Sequence, residues 1–306
     1  MKQLSKYFPN NFAKQLKKLV SALLISLFGI TLPACSYSPS TLKDSYNNLG
    51  KDYSRDLKQM GDYTPEQENK LDQFGDGIIE WHRKNKLPEL ANMTKSLSTK
   101  LENSTPLTNN DYRSFITQLG SFPNFHESED SNRQLAKLAK TLNDEQFTQI
   151  KKQIEEDTSD YTEHFQNTSW DKLMRESVSG MSETFRFLGV DLTKAQLTII
   201  QKNLSYQRDN RGSIISSNED WNNRLIELLS KRHEASFEAQ FAQHMLNDNL
   251  YVRFLKSEPE ETEHNTQITM NMLKELFASL SEKQRATFTK QLKSISQTLS
   301  ELVLKK

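Results

Sequence analysis

From residue 41 onward apolar side chains return every three or four positions with polar ones between them, the spacing of one face of an α-helix. Leu42, Tyr46, Leu49, Tyr53, Leu57 and Met60 form the first stripe. A second starts at Thr64, with Pro65 at the first helical position, and carries Leu71, Phe74, Ile78 and Trp81. Pro88 interrupts the pattern before Leu90, Met93, Leu97 and Leu101; Leu107-Thr108 then leads into Tyr112, Phe115, Ile116 and Leu119. Gly120 and Pro123 open the stretch GSFPNFHESED, which reads as a loop and as a subdivision near residues 120–130.

The second half repeats the theme. Phe147, Ile150, Ile154, Tyr161 and Phe165 form one stripe, and Trp170, Leu173, Val178, Met181, Phe185 and Leu188 another. Leu197, Ile200 and Leu204 precede a polar stretch, QRDNRGSIISSNED, read as a loop. A long helix is expected from about Trp221 to Met245 on Leu225, Leu228, Arg232, Ala235, Ala239 and Ala242. Pro259 starts the next, with Ile268, Met272, Leu276 and Leu280, and the last begins near Ser281. No strand alternation competes. The expectation is an all-α protein of roughly ten amphipathic helices in an elongated or layered bundle.

Composition agrees: 9 Gly and 8 Pro in 306 residues leave few chain breakers, and 35% apolar content implies a thin core. Net charge is zero, but residues 1–34 hold five Lys and no acid, leaving 35 basic against 40 acidic groups beyond them. That balance gives no electrostatic reason to expect nucleic acid as a partner.

Lys2, Lys6, Lys14, Lys17 and Lys18 precede an uncharged apolar run from Leu19 to Ala34, the layout of an export signal that is cleaved or kept as an anchor. The run is short for a spanning helix, which needs about 20 residues. It ends in LPAC, Leu32 to Cys35, and Cys35 is the single cysteine. This segment resembles the lipobox of bacterial lipoproteins. The resemblance implies cleavage between Ala34 and Cys35, a covalent lipid on the Cys35 sulfur as the sole attached group, and acylation of the new amino terminus. Ser36 in place of Asp implies the outer membrane, with the body facing the periplasm. The implied organisation is a signal over 1–34, a lipidated tether over 35–40 and a helical body over 41–306.

Four helix starts are spelled alike. Thr64 with Gln67, Thr193 with Gln196 and Ser281 with Gln284 have capping-box spacing, and Asn143 with Gln146 substitutes another good N-cap residue. The plain reading is four helix starts, each cap contributing about 1 kcal/mol. The LTKAQ spelling is also similar to the LTxxQ signature of the Spy and CpxP periplasmic stress proteins, helical cradles for unfolded clients. A broader resemblance rests on LPAC, SYNNLG from Ser45, EWHRKNKLPELA from Glu80, LTKAQ, and DWNNRLIELLSKRHEASFEAQF from Asp220. In that order these are similar to a family of bacterial lipoproteins, the domain of unknown function six-two-seven-nine, for which no activity is implied.

Trp81, His82 and Arg83 are the candidate binding cluster. Trp81 continues a buried stripe, while His82 and Arg83 turn away from it, toward an acidic group or a neighbouring helix. Glu261 and His264 have the E-x-x-H spacing of di-iron bundles, without the second copy such a site needs. His233 and His244 on one helix would lie about 16 Å apart, too far to share an ion. No H-E-x-x-H, G-x-S-x-G or phosphate-binding glycine loop occurs, so neither catalytic nor metal residues are assigned. The leading expectation is a non-enzymatic envelope lipoprotein that binds a protein or envelope component, with chaperone-like client binding as one version. The alternatives are a metal- or ligand-dependent envelope enzyme using Glu261 and His264, and a structural scaffold in envelope assembly.

Overall fold

The structure is a computed structural model that describes residues 38–304, apart from 122, 124, 247–252 and 254–257. The export signal, Ala34, Cys35 and Ser36 therefore lie outside the described residues. The described residues form twelve α-helices and no strand: α1 (Pro39–Lys58), α2 (Pro65–Asn85), α3 (Leu87–Glu102), α4 (Asn109–Ser121), α5 (Glu129–Ala139), α6 (Asp144–Asn167), α7 (Trp170–Phe187), α8 (Lys194–Leu204), α9 (Arg211–Ser230), α10 (Phe237–Met245), α11 (Pro259–Ser279) and α12 (Glu282–Leu304). A short 3-10 turn, Phe125–Glu127, lies between α4 and α5. The fold is all-α, as the stripes imply.

The helices pack as a bundle. α1 and α2 form a hairpin, crossed by α12, which runs along α3. The hairpin is close because two glycines meet in it: a Cβ on Gly50 would come within 2.2 Å of the Gly75 carbonyl oxygen. α4 and α8 lie on α11, and α7 lies on α8. α5 sits between α2 and α10, while α6 packs on α9. Leu90 and Ile295 belong both to the apolar cluster under the α1–α2 hairpin and to the large cluster built around Phe185, Leu276 and Phe288. Leu135 joins the hairpin cluster to the one formed by α5, α6, α9 and α10, and Met174 joins the large cluster to a small one around Phe165. The core is thus a chain of modest clusters, consistent with the low apolar content.

Three local differences from the stripes have physical causes. Helix α1 begins at Pro39, because the Ser38 hydroxyl accepts from the Thr41 amide at 3.1 Å and starts the helix inside the expected tether. The stretch from Gln207 is helical from Arg211: Ile214 is fully buried against Phe165 and Leu173, and that burial overrides the weak propensity of its Ser and Asn neighbours. The helix expected through Met245 breaks after Ser230. On one continuous helix Phe237, nine residues after Leu228, would point about 180° away from it. The break lets both be buried, at 1% exposure each, and leaves Ala235 and Ala239 to solvent. Helix α5 is additional, capped by Ser128 and started by Glu129 and Asp130, which suit the positive end of the helix dipole.

Candidate functional site: paired helix starts and a buried histidine

The four like-spelled helix starts are capping boxes, and they meet in two pairs. At the first, the Thr64 amide donates to Gln67 Oε1 at 2.9 Å and the Gln67 amide to Thr64 Oγ1 at 3.3 Å. Asn143 and Gln146 do the same at 3.0 and 2.8 Å. The side-chain amides of Gln67 and Gln146 then face one another. Gln146 Nε2 donates to Gln67 Oε1 at 2.7 Å, and Gln67 Nε2 returns the contact at 3.3 Å. Each also donates across the joint to the carbonyl two residues before the other's cap: Gln146 Nε2 to Asp62 at 2.7 Å, Gln67 Nε2 to Thr141 at 3.0 Å.

The second pair repeats this atom for atom. Gln196 and Gln284 exchange Nε2 to Oε1 bonds of 3.0 Å in both directions. Gln196 Nε2 reaches the Ser279 carbonyl at 3.1 Å, and Gln284 Nε2 the Asp191 carbonyl at 2.9 Å. Both carbonyls again lie two residues before a cap, at Ser281 and Thr193. Every amide hydrogen and both acceptor positions of all four Gln side chains are thereby engaged. Gln67, Gln146 and Gln196 are at most 5% exposed, where an unmet amide would be costly. An apolar residue precedes each cap (Tyr63, Leu142, Leu192, Leu280) and packs on a core cluster.

The Trp81-His82-Arg83 cluster is arranged differently from its sequence reading. The buried stripe of α2 continues from Ile78 and Ile79 to His82, which is 1% exposed, while Trp81 is only half-buried. His82 Nδ1 lies 2.9 Å from the Tyr46 hydroxyl, with the Phe125 ring edge-on at 5.5 Å. Arg83 donates to Asn47 Oδ1 at 3.2 Å and lies 5.7 Å from the Tyr46 ring centre. SYNNLG and EWHRKNKLP are therefore two sides of one helix crossing. Burial, reinforced by Lys86 and Arg83, pushes the His82 pKa down to about 4, so the ring is neutral and its Nδ1 shares a hydrogen bond with the Tyr46 hydroxyl.

The other sequence candidates are not brought together. Arg208 holds Glu261 with two contacts of 3.0 Å, and His264 Nε2 lies 3.1 Å from the Tyr206 carbonyl. His244 stacks on Trp221 at 4.7 Å, while His233 is exposed in the turn between α9 and α10. Among the described residues no three His, Cys, Asp or Glu side chains cluster as metal ligands, and no helix is long and apolar enough to cross a membrane.

Two buried polar residues deserve the name of site residues more than their sequence context suggests. Asp157 accepts from Gln153 at 2.9 Å through one oxygen, and its other oxygen has no partner. Burial, with Asp160 and Glu156 nearby, pushes its pKa up to about 6. The signal was legible: Asp157 falls in the stripe between Ile154 and Tyr161, where an apolar residue belongs. Arg232, also in a stripe, is 3% exposed; it donates to the Leu142 carbonyl at 3.0 Å and ion-pairs with Asp144 at the start of α6. An opening of about 570 Å³ is a solvent-open trough between α6 and α9 walled by Glu155, Glu163 and Glu219.

Fold and site together define an all-helical protein whose distant helices are joined head to head by paired caps. The chain belongs to the family of unknown function DUF6279, whose profile matches residues 60–253, from α2 through α10 and three of the four caps. No curated protein and no solved structure matches it, so the similarity of LTKAQ to the Spy and CpxP group rests on spelling alone.

The paired amides predict non-additivity. Gln146→Leu strands the buried Gln67 amide and is expected to lower stability by about 1–3 kcal/mol. Combining it with Gln67→Leu should cost less than the two single losses summed, by roughly 1 kcal/mol or more. Urea unfolding of the four proteins measures this; strict additivity would show independent local caps.

His82 predicts a pH dependence. Its folded pKa is depressed below the unfolded value, so its neutral form is held in the fold and gains a proton on unfolding. The contribution is complete above pH 6.5 and is lost as pH falls toward about 4, up to roughly 3 kcal/mol. His82→Asn, which keeps a neutral hydrogen-bonding partner for Tyr46, should lose less stability than the parent between pH 7.5 and 4.5. Equal urea-midpoint shifts in the two proteins would contradict it.

Proposed function

We propose that this protein is an exported lipoprotein of the bacterial outer membrane, held by acyl chains on Cys35, whose helical body faces the periplasm and binds a protein or envelope component without catalysing a reaction. The observation that carries this reading is the basic segment, apolar run and LPAC sequence ending at Cys35, followed within four residues by the first helix of the body. The features of the body support a binding role. Its most conspicuous polar groups hold helices to one another, as His82 does for Tyr46 and the four Gln for each other, or a helix to a connecting segment, as Glu261 does for Arg208. The trough between α6 and α9 is open and lined by polar groups, which suits an extended partner better than an enclosed small substrate. Client binding of the chaperone type is the concrete version, in keeping with the LTxxQ spelling.

Cys35→Ser is expected to abolish the acyl-dependent mass increase and to release the protein from the envelope. Retention of that variant through alkaline extraction would contradict the lipid anchor. The body from Ser36 onward is expected to suppress aggregation of a denatured client protein in a light-scattering assay. No effect at several-fold molar excess would remove the client-binding version while leaving the anchor untouched.

A further inference from the structure

The position of Cys35 constrains which end of the body can meet a membrane. Four peptide steps separate it from Pro39, so the first turn of α1 lies within about 14 Å of the residue that would carry the lipid. The end of α12 reaches the same place: Lys43 of α1 ion-pairs with Glu301, and Leu42 shares an apolar cluster with Leu302 and Val303. The opposite end of α1, 20 residues away, is about 30 Å distant along the helix. The Gln67–Gln146 joint stands there, tied to Asp62.

At the near end one side chain is out of character. Leu304 is 80% exposed, and among the described residues Tyr206 is the only other large apolar side chain so open. Single exposed leucines are ordinary. This one follows Leu302, which is buried, and half-buried Val303, and it precedes Lys305 and Lys306 in the sequence. An exposed apolar tip on α12, beside the start of α1 and so near the residue that would carry the acyl chains, suits the boundary between acyl chains and headgroups.

Resting on the lipoprotein reading, we propose that this end of the body is its membrane-facing surface: the start of α1 and the end of α12 lie on the leaflet that holds the anchor, with Leu304 entering the headgroup region. The acyl chains and this contact then fix the orientation of the body, and the first Gln joint projects away from the bilayer.

The test uses the full lipidated chain in vesicles of phosphatidylethanolamine and phosphatidylglycerol with brominated acyl chains. Because lipidation blocks the Cys35 thiol, Leu304→Cys supplies one free thiol for an environment-sensitive fluorophore, and Glu145→Cys, exposed at the far end, supplies the control. The expected result is a blue shift and strong quenching at position 304 and neither at 145. Vesicle-bound protein that is unquenched at 304, or quenched at 145 instead, overturns the orientation but leaves the anchor standing. Protein that does not float with the vesicles overturns both. A label at 304 that dims in native envelopes but not in pure lipid assigns the surface to a protein partner and overturns the lipid contact.

Discussion

A glutamine side chain is complementary to itself: its amide donates and accepts, so two can exchange hydrogen bonds and still have one hydrogen and one acceptor position each to offer. In this protein the remaining acceptor closes the helix's own cap, and the remaining hydrogen crosses to the segment leading into the other helix. The geometry solves an electrostatic problem as well. Two helix N-termini brought head to head oppose their positive dipole ends, and the four amide and carbonyl oxygens between them supply the negative partial charge that offsets this. Glu66, Glu68, Asp144, Glu145 and Glu282, all in first turns, add to it. Much of the packing follows from the two joints. α2 and α6, tied at their starts, diverge to pack on different helices, and so do α8 and α12.

The polar groups that stand out chemically serve this same framework. His82, Tyr46, Arg83 and Asn47 seal the α1–α2 crossing beside the Gly50–Gly75 contact, while Arg232 pins the turn after α9 to the start of α6. Asp157 is the exception, since its second oxygen and the nearby Tyr161 hydroxyl have no partner. A carboxyl there weakens the α6–α9 interface at neutral pH, where it is ionised, and less so in mild acid. Its effect runs opposite to those of His82 and His244, whose pKa values burial lowers to about 4. Asp157 therefore offsets only part of the stability that the two histidines lose as pH falls.

The helices were legible because their apolar spacing is a local signal, and so were the caps, whose partners lie three residues away. The pairing of caps was not, because nothing within six residues of Gln67 names a partner 79 residues on. Its trace was nonetheless present: an apolar residue, a cap, two free positions and Gln, four times over. The stripe of α2 was misjudged at its end by one residue, since 3.6 residues per turn carries a long stripe from Phe74 through Ile78 to His82 as easily as to Trp81. The break between α9 and α10 has no Gly or Pro to mark it. It is set by Phe237 and Phe241 needing the face that Leu228 uses, a demand visible only once the neighbouring helices are in place.

Four like ends can be joined in three ways, and the Gln amides by themselves are indifferent among them. What selects the observed arrangement is the context of each end: Tyr63 and Leu142 belong to one apolar cluster, Leu192 and Leu280 to another. The hydrogen bonds thus supply strength without address, and the apolar cluster into which each end packs supplies the address.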